Sequence, residues 1–185
     1  MKQIILSLMI LSICSVSAQK KVNYEYNNFI DLAGTAYTVA TVVHLNSKLF
    51  TKTKSGLLFI NTETGESEET EFPEGARVQE VKQIKIDSLK INLVLVLACT
   101  VDANGKKGLD WSDPIQVFIF SPSGKEKHQL TEDNFSASSW RVNEYTGTLL
   151  VSGFFDNNKN NKKDKDENSE ILLYDLQTLQ LKNKI

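Results

Sequence analysis

Cysteine is nearly absent from this sequence, which contains only Cys14 and Cys99 among its 185 residues. Cys14 falls in an N-terminal segment that we expect to be removed, so a single cysteine remains and no intramolecular disulfide can form. Cys99 ends the apolar run LVLVLAC (93–99), where a small buried thiol is favoured over a reactive one. We therefore expect stability to come from the hydrophobic core, with help from any bound ion.

Histidine and recognisable catalytic motifs are also scarce. The two histidines, His44 and His128, lie far apart, and neither adjoins a serine or cysteine nucleophile motif. No H-E-x-x-H, C-x-x-C, G-x-S-x-G or phosphate-cradling glycine pattern occurs. Paired acids such as Glu68 and Glu69 suit a solvated hairpin edge. We therefore predict that the protein is not an enzyme.

A strong charge of either sign is missing as well. The chain has 21 basic and 23 acidic side chains, a formal net charge of −2, and the two signs are interspersed. It offers no basic patch for nucleic acid and no polybasic stretch for anionic lipid. We expect a protein or cell-envelope partner and no nucleic acid, and the oligomeric state stays open.

The one long apolar run lies at the N-terminus and has the parts of a secretory signal peptide. Lys2 precedes an apolar stretch from Ile4 to Cys14, and small residues lead to Ala18. The stretch is about half of the roughly 20 residues that a bilayer span needs. We predict a signal peptide at 1–18, a single domain at 19–185, and export to the periplasm or the medium without a membrane span. A lipoprotein site at Cys14 is disfavoured, because a small residue usually precedes such a cysteine and Ile13 is large.

Helical periodicity is rare, whereas short runs of Val, Ile, Leu, Thr and Phe recur between clusters of Gly, Asn, Asp and Ser. This pattern predicts an all-β fold, an antiparallel meander. Three runs, 57–61, 117–121 and 171–175, share four apolar residues and then a short polar one, and each leads to a turn. Run 93–97 is apolar throughout, as expected of a sheet covered on both faces.

We interpret these runs as parts of three repeats of about four strands each, at 38–72, 79–131 and 136–185. The strands predicted for the first repeat are 38–45, 48–52, 57–61 and 66–72. Those predicted for the second are 81–86, 93–101, 115–121 and 125–130. Those predicted for the third are 139–143, 149–155, 171–175 and 179–182.

The segment FIFSPSGKEKHQLT (118–131) resembles the repeat of TolB-like, WD40-like β-propellers, with an apolar strand, a glycine turn and a closing Leu-Thr. The resemblance implies blade-like sheets and an exported protein that binds or scaffolds. Closed propellers have at least four blades, whereas three repeats are visible here. Three interpretations stay open: segment 22–36 forms a degenerate blade, the blades form an open or incomplete arrangement, or chains pair.

Two twelve-residue segments, offset by 54 residues, carry oxygen-bearing side chains at positions 1, 3, 9 and 12. Ca²⁺ takes six to eight oxygen ligands, and a loop of this length supplies them from positions 1, 3, 5, 7, 9 and 12. In the first acidic loop (102–113) the candidate ligands are Asp102, Asn104, the Gly108 carbonyl, Asp110 and Asp113. In the second acidic loop (156–167) they are Asp156, Asn158, Asn160, the Lys162 carbonyl, Asp164 and Glu167.

The second acidic loop fits this pattern better. Its sixth residue is Asn161, and asparagine tolerates the left-handed conformation that this position needs. In the first acidic loop, Lys106 occupies position 5 and cannot be a ligand. Lysines in both loops offset the acids, so the sequence predicts weak Ca²⁺ binding, at about 10⁻⁴ to 10⁻³ M. The alternative is a pair of solvated hairpin tips.

Our functional hypothesis is an exported, non-enzymatic, propeller-like binding or scaffold module with Ca²⁺-stabilised loops. The alternatives are a small secreted hydrolase or glycan-binding protein on the same fold, and a structural envelope protein that acts as an oligomer. An enzyme would bring acids and histidines such as Asp110, Asp113, His128 and Glu170 together. Trp140 is expected to pack between blades, and Trp111 either covers the first acidic loop or faces a partner.

Overall fold

A computed structural model describes residues 23–45, 54–105 and 108–185. The predicted signal peptide at 1–18 and the predicted strand at 48–52 lie outside these ranges. Within them, no helix has both the length and the apolar composition that a bilayer crossing requires.

The described residues form three four-stranded antiparallel sheets, each a simple meander. We call them blade 1 (β1–β4), blade 2 (β5–β8) and blade 3 (β9–β12). The strands are β1 (Asn23–Asp31), β2 (Tyr37–Leu45), β3 (Lys54–Asn61), β4 (Ser67–Glu71), β5 (Arg77–Ile86), β6 (Ile91–Cys99), β7 (Gln116–Phe120), β8 (Lys127–Gln129), β9 (Phe135–Asn143), β10 (Thr148–Phe155), β11 (Ser169–Asp175) and β12 (Leu181–Lys184). The predicted all-β, blade-like fold is confirmed.

The first strand of blade 1 corrects one interpretation of the sequence. β1 pairs with β2 from Asn23↔Leu45 to Asp31↔Thr38, with a bulge after Asn27. The described part of segment 22–36 therefore contributes the first strand of blade 1 and does not form a separate degenerate blade. Strands β2, β3 and β4 overlap the runs predicted at 38–45, 57–61 and 66–72.

The three apolar runs that suggested repeats occupy the same place in each sheet. Runs 57–61, 117–121 and 171–175 coincide with the third strands, β3, β7 and β11. The polar residue at the end of two of them holds the following turn. Asn61 Oδ1 accepts the N–H groups of Glu63 and Thr64, and Asp175 Oδ1 accepts the equivalent pair at positions 177 and 178. These backbone hydrogen bonds lower the pKa of Asp175.

Two hydrophobic clusters hold the blades together. One joins blade 1 to blade 2 and contains Phe59 and Phe120, whose ring centroids are 5.5 Å apart. The other joins blade 2 to blade 3. On β6, Val94 and Val96 belong to the first cluster and Leu95 to the second. Blade 2 is therefore covered on both faces, as the uninterrupted apolar run predicts.

Blade 3 also contacts blade 2 through Trp140. Its indole Nε1 donates to Glu80 Oε2 at 3.0 Å, and its ring packs against the second cluster. The predicted packing role of Trp140 is confirmed.

The described residues do not form a closed ring of blades. They provide three blades, one fewer than the smallest closed propeller has. Each hydrophobic cluster joins neighbouring blades, and neither joins blade 1 to blade 3. The described part of the chain is therefore an open series of three blades.

Cys99 lies at the end of β6 and is buried. Burial raises the pKa of its thiol to about 11, so at pH 8 the reactive thiolate is about one part in a thousand. A chain lacking residues 1–18 is expected to react with a thiol reagent such as DTNB far more slowly when native than when unfolded in urea. Equal rates in the two states would contradict the buried position.

Candidate functional site

The second acidic loop joins β10 to β11 and begins with a buried carboxylate. Asp156 is 2% exposed. Its Oδ1 accepts the N–H of Asn160 at 3.1 Å, and its Oδ2 accepts the N–H of Asn161 at 2.7 Å. Asn161 has a φ of 61°, the left-handed conformation expected for position 6, and Lys159 has a φ of 58°, which the sequence did not predict. The first candidate ligand therefore organises the turn around it.

The two acidic loops close in the same way. Their twelfth residues, Asp113 and Glu167, are 4% and 6% exposed. In both loops this carboxylate accepts the backbone N–H groups of positions 2 and 9. The hydrogen bonds are Ala103 N to Asp113 Oδ1 (3.2 Å), Asp110 N to Asp113 Oδ2 (2.7 Å), Asn157 N to Glu167 Oε1 (2.9 Å) and Asp164 N to Glu167 Oε2 (3.0 Å). The repeat thus extends to the hydrogen bonds of the loops.

The middle of the second acidic loop converges on Asp164. The side-chain amides of Asn158 and Asn160 each donate to Asp164 Oδ2 at 2.7 Å. Asn160 Oδ1 accepts the N–H of Lys162 at 2.8 Å. Positions 3, 5 and 9, predicted from spacing alone, therefore lie in contact.

The first acidic loop joins β6 to β7 and is less convergent. Asp102 accepts the N–H groups of Gly105 and Gly108 at 2.7 and 2.8 Å. Asn104 is half-buried, and Lys106 lies outside the described residues. Asp110 is exposed, and its Oδ1 accepts the N–H and O–H of Ser112. Asp102 and Asp113 therefore shape this loop, whereas Asp110 turns toward Ser112.

The two acidic loops also contact each other. Asn161 Nδ2 of the second loop donates to Asp113 Oδ1 of the first at 2.7 Å and to Ser112 Oγ at 3.3 Å. Asn161 Oδ1 is buried and has no hydrogen-bond partner in the described part of the chain. A buried acceptor of this kind is normally satisfied by a donor, a water or an ion.

Trp111 extends from the first acidic loop into solvent. Its side chain is 86% exposed, and the Arg77 guanidinium lies 4.4 Å from its ring centroid. Arg77 also donates to the backbone carbonyl of Asp110. Of the two roles considered for Trp111, this exposed position argues against a cover for the loop.

The acids and histidine considered for an enzyme do not assemble. No three of Asp110, Asp113, His128 and Glu170 bring ligand atoms within 4.8 Å of one another in the described residues. His128 lies on the exposed strand β8, and Glu170 pairs with Lys184 at 2.6 Å.

A different group was missed by the sequence analysis. In the described ranges, one group of three His, Cys, Asp or Glu side chains has ligand atoms all within 4.8 Å: His44, Glu69 and Glu71. Spacing indicated two of the three residues, because positions 69 and 71 of one strand share a face. The approach of His44 depends on the pairing of three strands, which the sequence did not define.

Comparisons with known proteins give no family. No family model matches the chain, and no curated protein matches it. Among solved structures, an ACO/RPE65 chimera aligns with a TM-score of 0.39 and 12% identity, over 83% of this chain and 35% of its own. Cobalt-substituted Synechocystis ACO aligns with a TM-score of 0.39 and 11% identity, over 88% of this chain and 37% of its own. A mutant of Synechocystis apocarotenoid oxygenase aligns with a TM-score of 0.35 and 11% identity, over 80% of this chain and 35% of its own. The chain spans about a third of the length of these structures.

Proposed function

We propose that this protein is an exported, non-enzymatic binding or scaffold module of the TolB-like, WD40-like propeller type. In this proposal Ca²⁺ in the acidic loops stabilises the end of blades 2 and 3 that meets a partner. The observation that carries it is the shared closure of the two loops, in which each twelfth-position carboxylate accepts the N–H groups of positions 2 and 9. Export rests on the signal-peptide pattern at 1–18.

The second acidic loop supports Ca²⁺ as the ion. Its candidate ligands are carboxylates, asparagine amides and a main-chain carbonyl, all of them oxygen donors of the kind that Ca²⁺ prefers. Asp156 and Glu167 are buried and use backbone N–H groups as partners, yet a carboxylate has about four acceptor sites and so retains capacity for an ion. The amides of Asn158 and Asn160 face Asp164, and a rotation about each side chain would present their oxygens instead.

The contact between the loops explains how an ion would affect more than one hairpin. Asn161 links the second acidic loop to Asp113 of the first, and its own buried Oδ1 is unsatisfied in the described residues. An ion that orders residues 156–167 would hold Asn161 in place and steady the first loop, which carries the exposed Trp111. Tryptophan and arginine are enriched among residues that dominate the energy of protein interfaces, so the Trp111–Arg77 pair is the expected contact.

We expect Ca²⁺ to raise the thermal stability of the chain lacking residues 1–18. With a Kd of about 10⁻⁴ to 10⁻³ M, about 10 mM Ca²⁺ stabilises by about 1.4–2.7 kcal/mol. This corresponds to a rise in Tm of roughly 3–11 °C for a domain of this size. Melting with Ca²⁺ and with EGTA measures the difference.

Two matched variants locate the effect. Glu167→Gln removes the twelfth-position charge of the second loop, which has the better ligand set, and should remove most of the Ca²⁺-dependent rise in Tm. Asp166→Asn alters the exposed neighbouring acid and should retain it. A rise of less than about 1 °C in the unaltered protein, or an equal loss in both variants, would contradict Ca²⁺ binding at this loop.

A further inference from the structure

The His44, Glu69 and Glu71 group lies on the face of blade 1 that points away from blade 2. Val42 pairs with Gly56 and Gly56 pairs with Glu71, so Glu71 lies on the same face of the sheet as Val42. In the same way, Ala40 pairs with Leu58 and Leu58 pairs with Glu69, so Glu69 also lies on this face. His44 shares this face because it is two residues beyond Val42. The inner face instead carries Phe59 of the interblade cluster.

The imidazole of His44 is oriented by its neighbours. The residue is 6% exposed, and the ring of Tyr24 meets it edge-on at 4.6 Å between centroids. Its Nε2 lies 2.9 Å from Glu69 Oε1 and its Nδ1 lies 3.7 Å from Glu71 Oε1. A buried ring with both nitrogens facing carboxylates loses little conformational freedom when one of those nitrogens binds an ion.

The two carboxylates remain accessible from solvent. The side chains of Glu69 and Glu71 are 35% and 45% exposed, against 8% for His44. Lys54 Nζ contacts Glu71 Oε2 at 2.8 Å, and this hydrogen bond lowers the pKa of the Glu71 carboxyl. Glu71 is therefore held as an anion, next to one cation that is itself exposed and able to move away.

We propose that His44, Glu69 and Glu71 form a binding site for a divalent transition-metal ion, for which Zn²⁺ is the best match. One imidazole nitrogen and two carboxylate oxygens are three of the four ligands of a tetrahedral zinc site, with water or a partner's side chain as the fourth. An imidazole favours Zn²⁺ over Ca²⁺ and Mg²⁺, which prefer oxygen ligands alone. The site is separate from the acidic loops and does not depend on the function proposed for them.

Ion binding would rearrange two contacts. The hydrogen bond between His44 and Glu69 would be replaced by metal–ligand bonds to both side chains, and Lys54 would leave Glu71. Metal binding requires a neutral imidazole and ionised carboxylates, so protons compete with the ion for these three side chains.

Zinc titration of the chain lacking residues 1–18 tests the proposal. Isothermal titration with ZnCl₂ is expected to give one site per chain, unaffected by excess Mg²⁺. Loss of a second-sphere partner alone weakens zinc sites by about 10–100-fold, so Glu69→Gln and Glu71→Gln should each weaken binding at least about tenfold. Both side chains are exposed, so these variants are expected to fold.

Three controls separate this site from adventitious binding. Glu68→Gln changes the neighbouring acid on the opposite face of β4, where residue 68 pairs with Phe59, and should bind as the unaltered protein does. His128→Gln removes the exposed histidine of β8 and should also have no effect. Glu167→Gln should remove most of the Ca²⁺ response and leave zinc binding intact.

NMR of the histidine rings supplies a readout that does not rely on variants. The chain contains two histidines, so the long-range ¹H–¹⁵N spectrum resolves each one. Zinc should shift a ring nitrogen of His44 and leave His128 unchanged. The proposal would be overturned by the absence of binding, by unchanged affinity in both Glu69→Gln and Glu71→Gln, or by a shift confined to His128.

Discussion

Gly124→Ala is expected to lower the free energy of unfolding by about 2–4 kcal/mol. Gly124 has a φ of +77° in the turn after β7, a conformation that costs an alanine about 1 kcal/mol or more. A methyl group there would also lie against the ring of Phe59. Because Phe59 is fully buried between blades 1 and 2, the ring must shift, and overpacking of this kind costs about 1–3 kcal/mol. Urea unfolding followed by circular dichroism measures the change.

Gly65→Ala is the matched control for that experiment. Gly65 occupies the corresponding turn of blade 1 and has the same φ of +77°, but an added methyl group would meet nothing within 4 Å. Only the cost of the left-handed backbone conformation remains, so we expect the free energy of unfolding to fall by about 1–2 kcal/mol. Equal losses in the two variants would show that Gly124 does not pack against blade 1, and the arrangement of blades 1 and 2 would then be wrong.

Leu95→Ala is expected to cost about 2–5 kcal/mol, the usual range for truncating a buried leucine. Leu95 is 0% exposed and lies on β6, where it faces blade 3 while both neighbouring valines face blade 1. The cavity would open between blades 2 and 3, and neither blade can collapse into it without losing contact elsewhere. The midpoint of urea unfolding should fall accordingly.

Leu181→Ala provides the comparison at the same residue type. Leu181 lies on the edge strand β12 and is 51% exposed, so its truncation should change the free energy of unfolding by less than about 1 kcal/mol. If the two leucine variants lost the same stability, blade 2 could not be buried on both faces, and the prediction from its uninterrupted apolar run would fail.

Most of the strands could be predicted because burial imposes a pattern on the sequence. The third strands, β3, β7 and β11, each contain four apolar residues followed by a short polar residue that leads to a turn. The sequence located all three correctly. β1 was missed for the opposite reason. Eight of its nine residues are exposed, so burial imposes no continuous pattern on it. Tyr24 and Tyr26 alternate with polar residues, but Asn28 adopts a φ of 52° next to the bulge and interrupts the alternation.

More of the structure of the acidic loops than of the His44, Glu69 and Glu71 group could be predicted from the sequence. Each loop is a local structure, and the spacing of its side chains located the first and twelfth carboxylates, which accept backbone N–H groups of the loop. Asp110, the candidate at position 9 of the first loop, is exposed instead. Contact between the loops, through Asn161 and Asp113, was not predictable from either segment alone. His44 and Glu69 are 25 residues apart, and they meet only because β2, β3 and β4 pair in one particular register. A shift of one residue would move each side chain to the other face.

The sequence by itself determined the features that depend on near neighbours along the chain: strands where apolar residues recur, turns at Asn61 and Asp175, and loops whose first and last carboxylates face inward. Tertiary structure alone decided that the three blades of the described residues do not close a ring, that the two acidic loops touch, and that a buried imidazole faces two carboxylates on blade 1. The reason is physical. Local patterns reflect the conformational preferences of short segments, whereas contacts between distant residues depend on strand register and blade packing, which the buried surface of the whole fold selects.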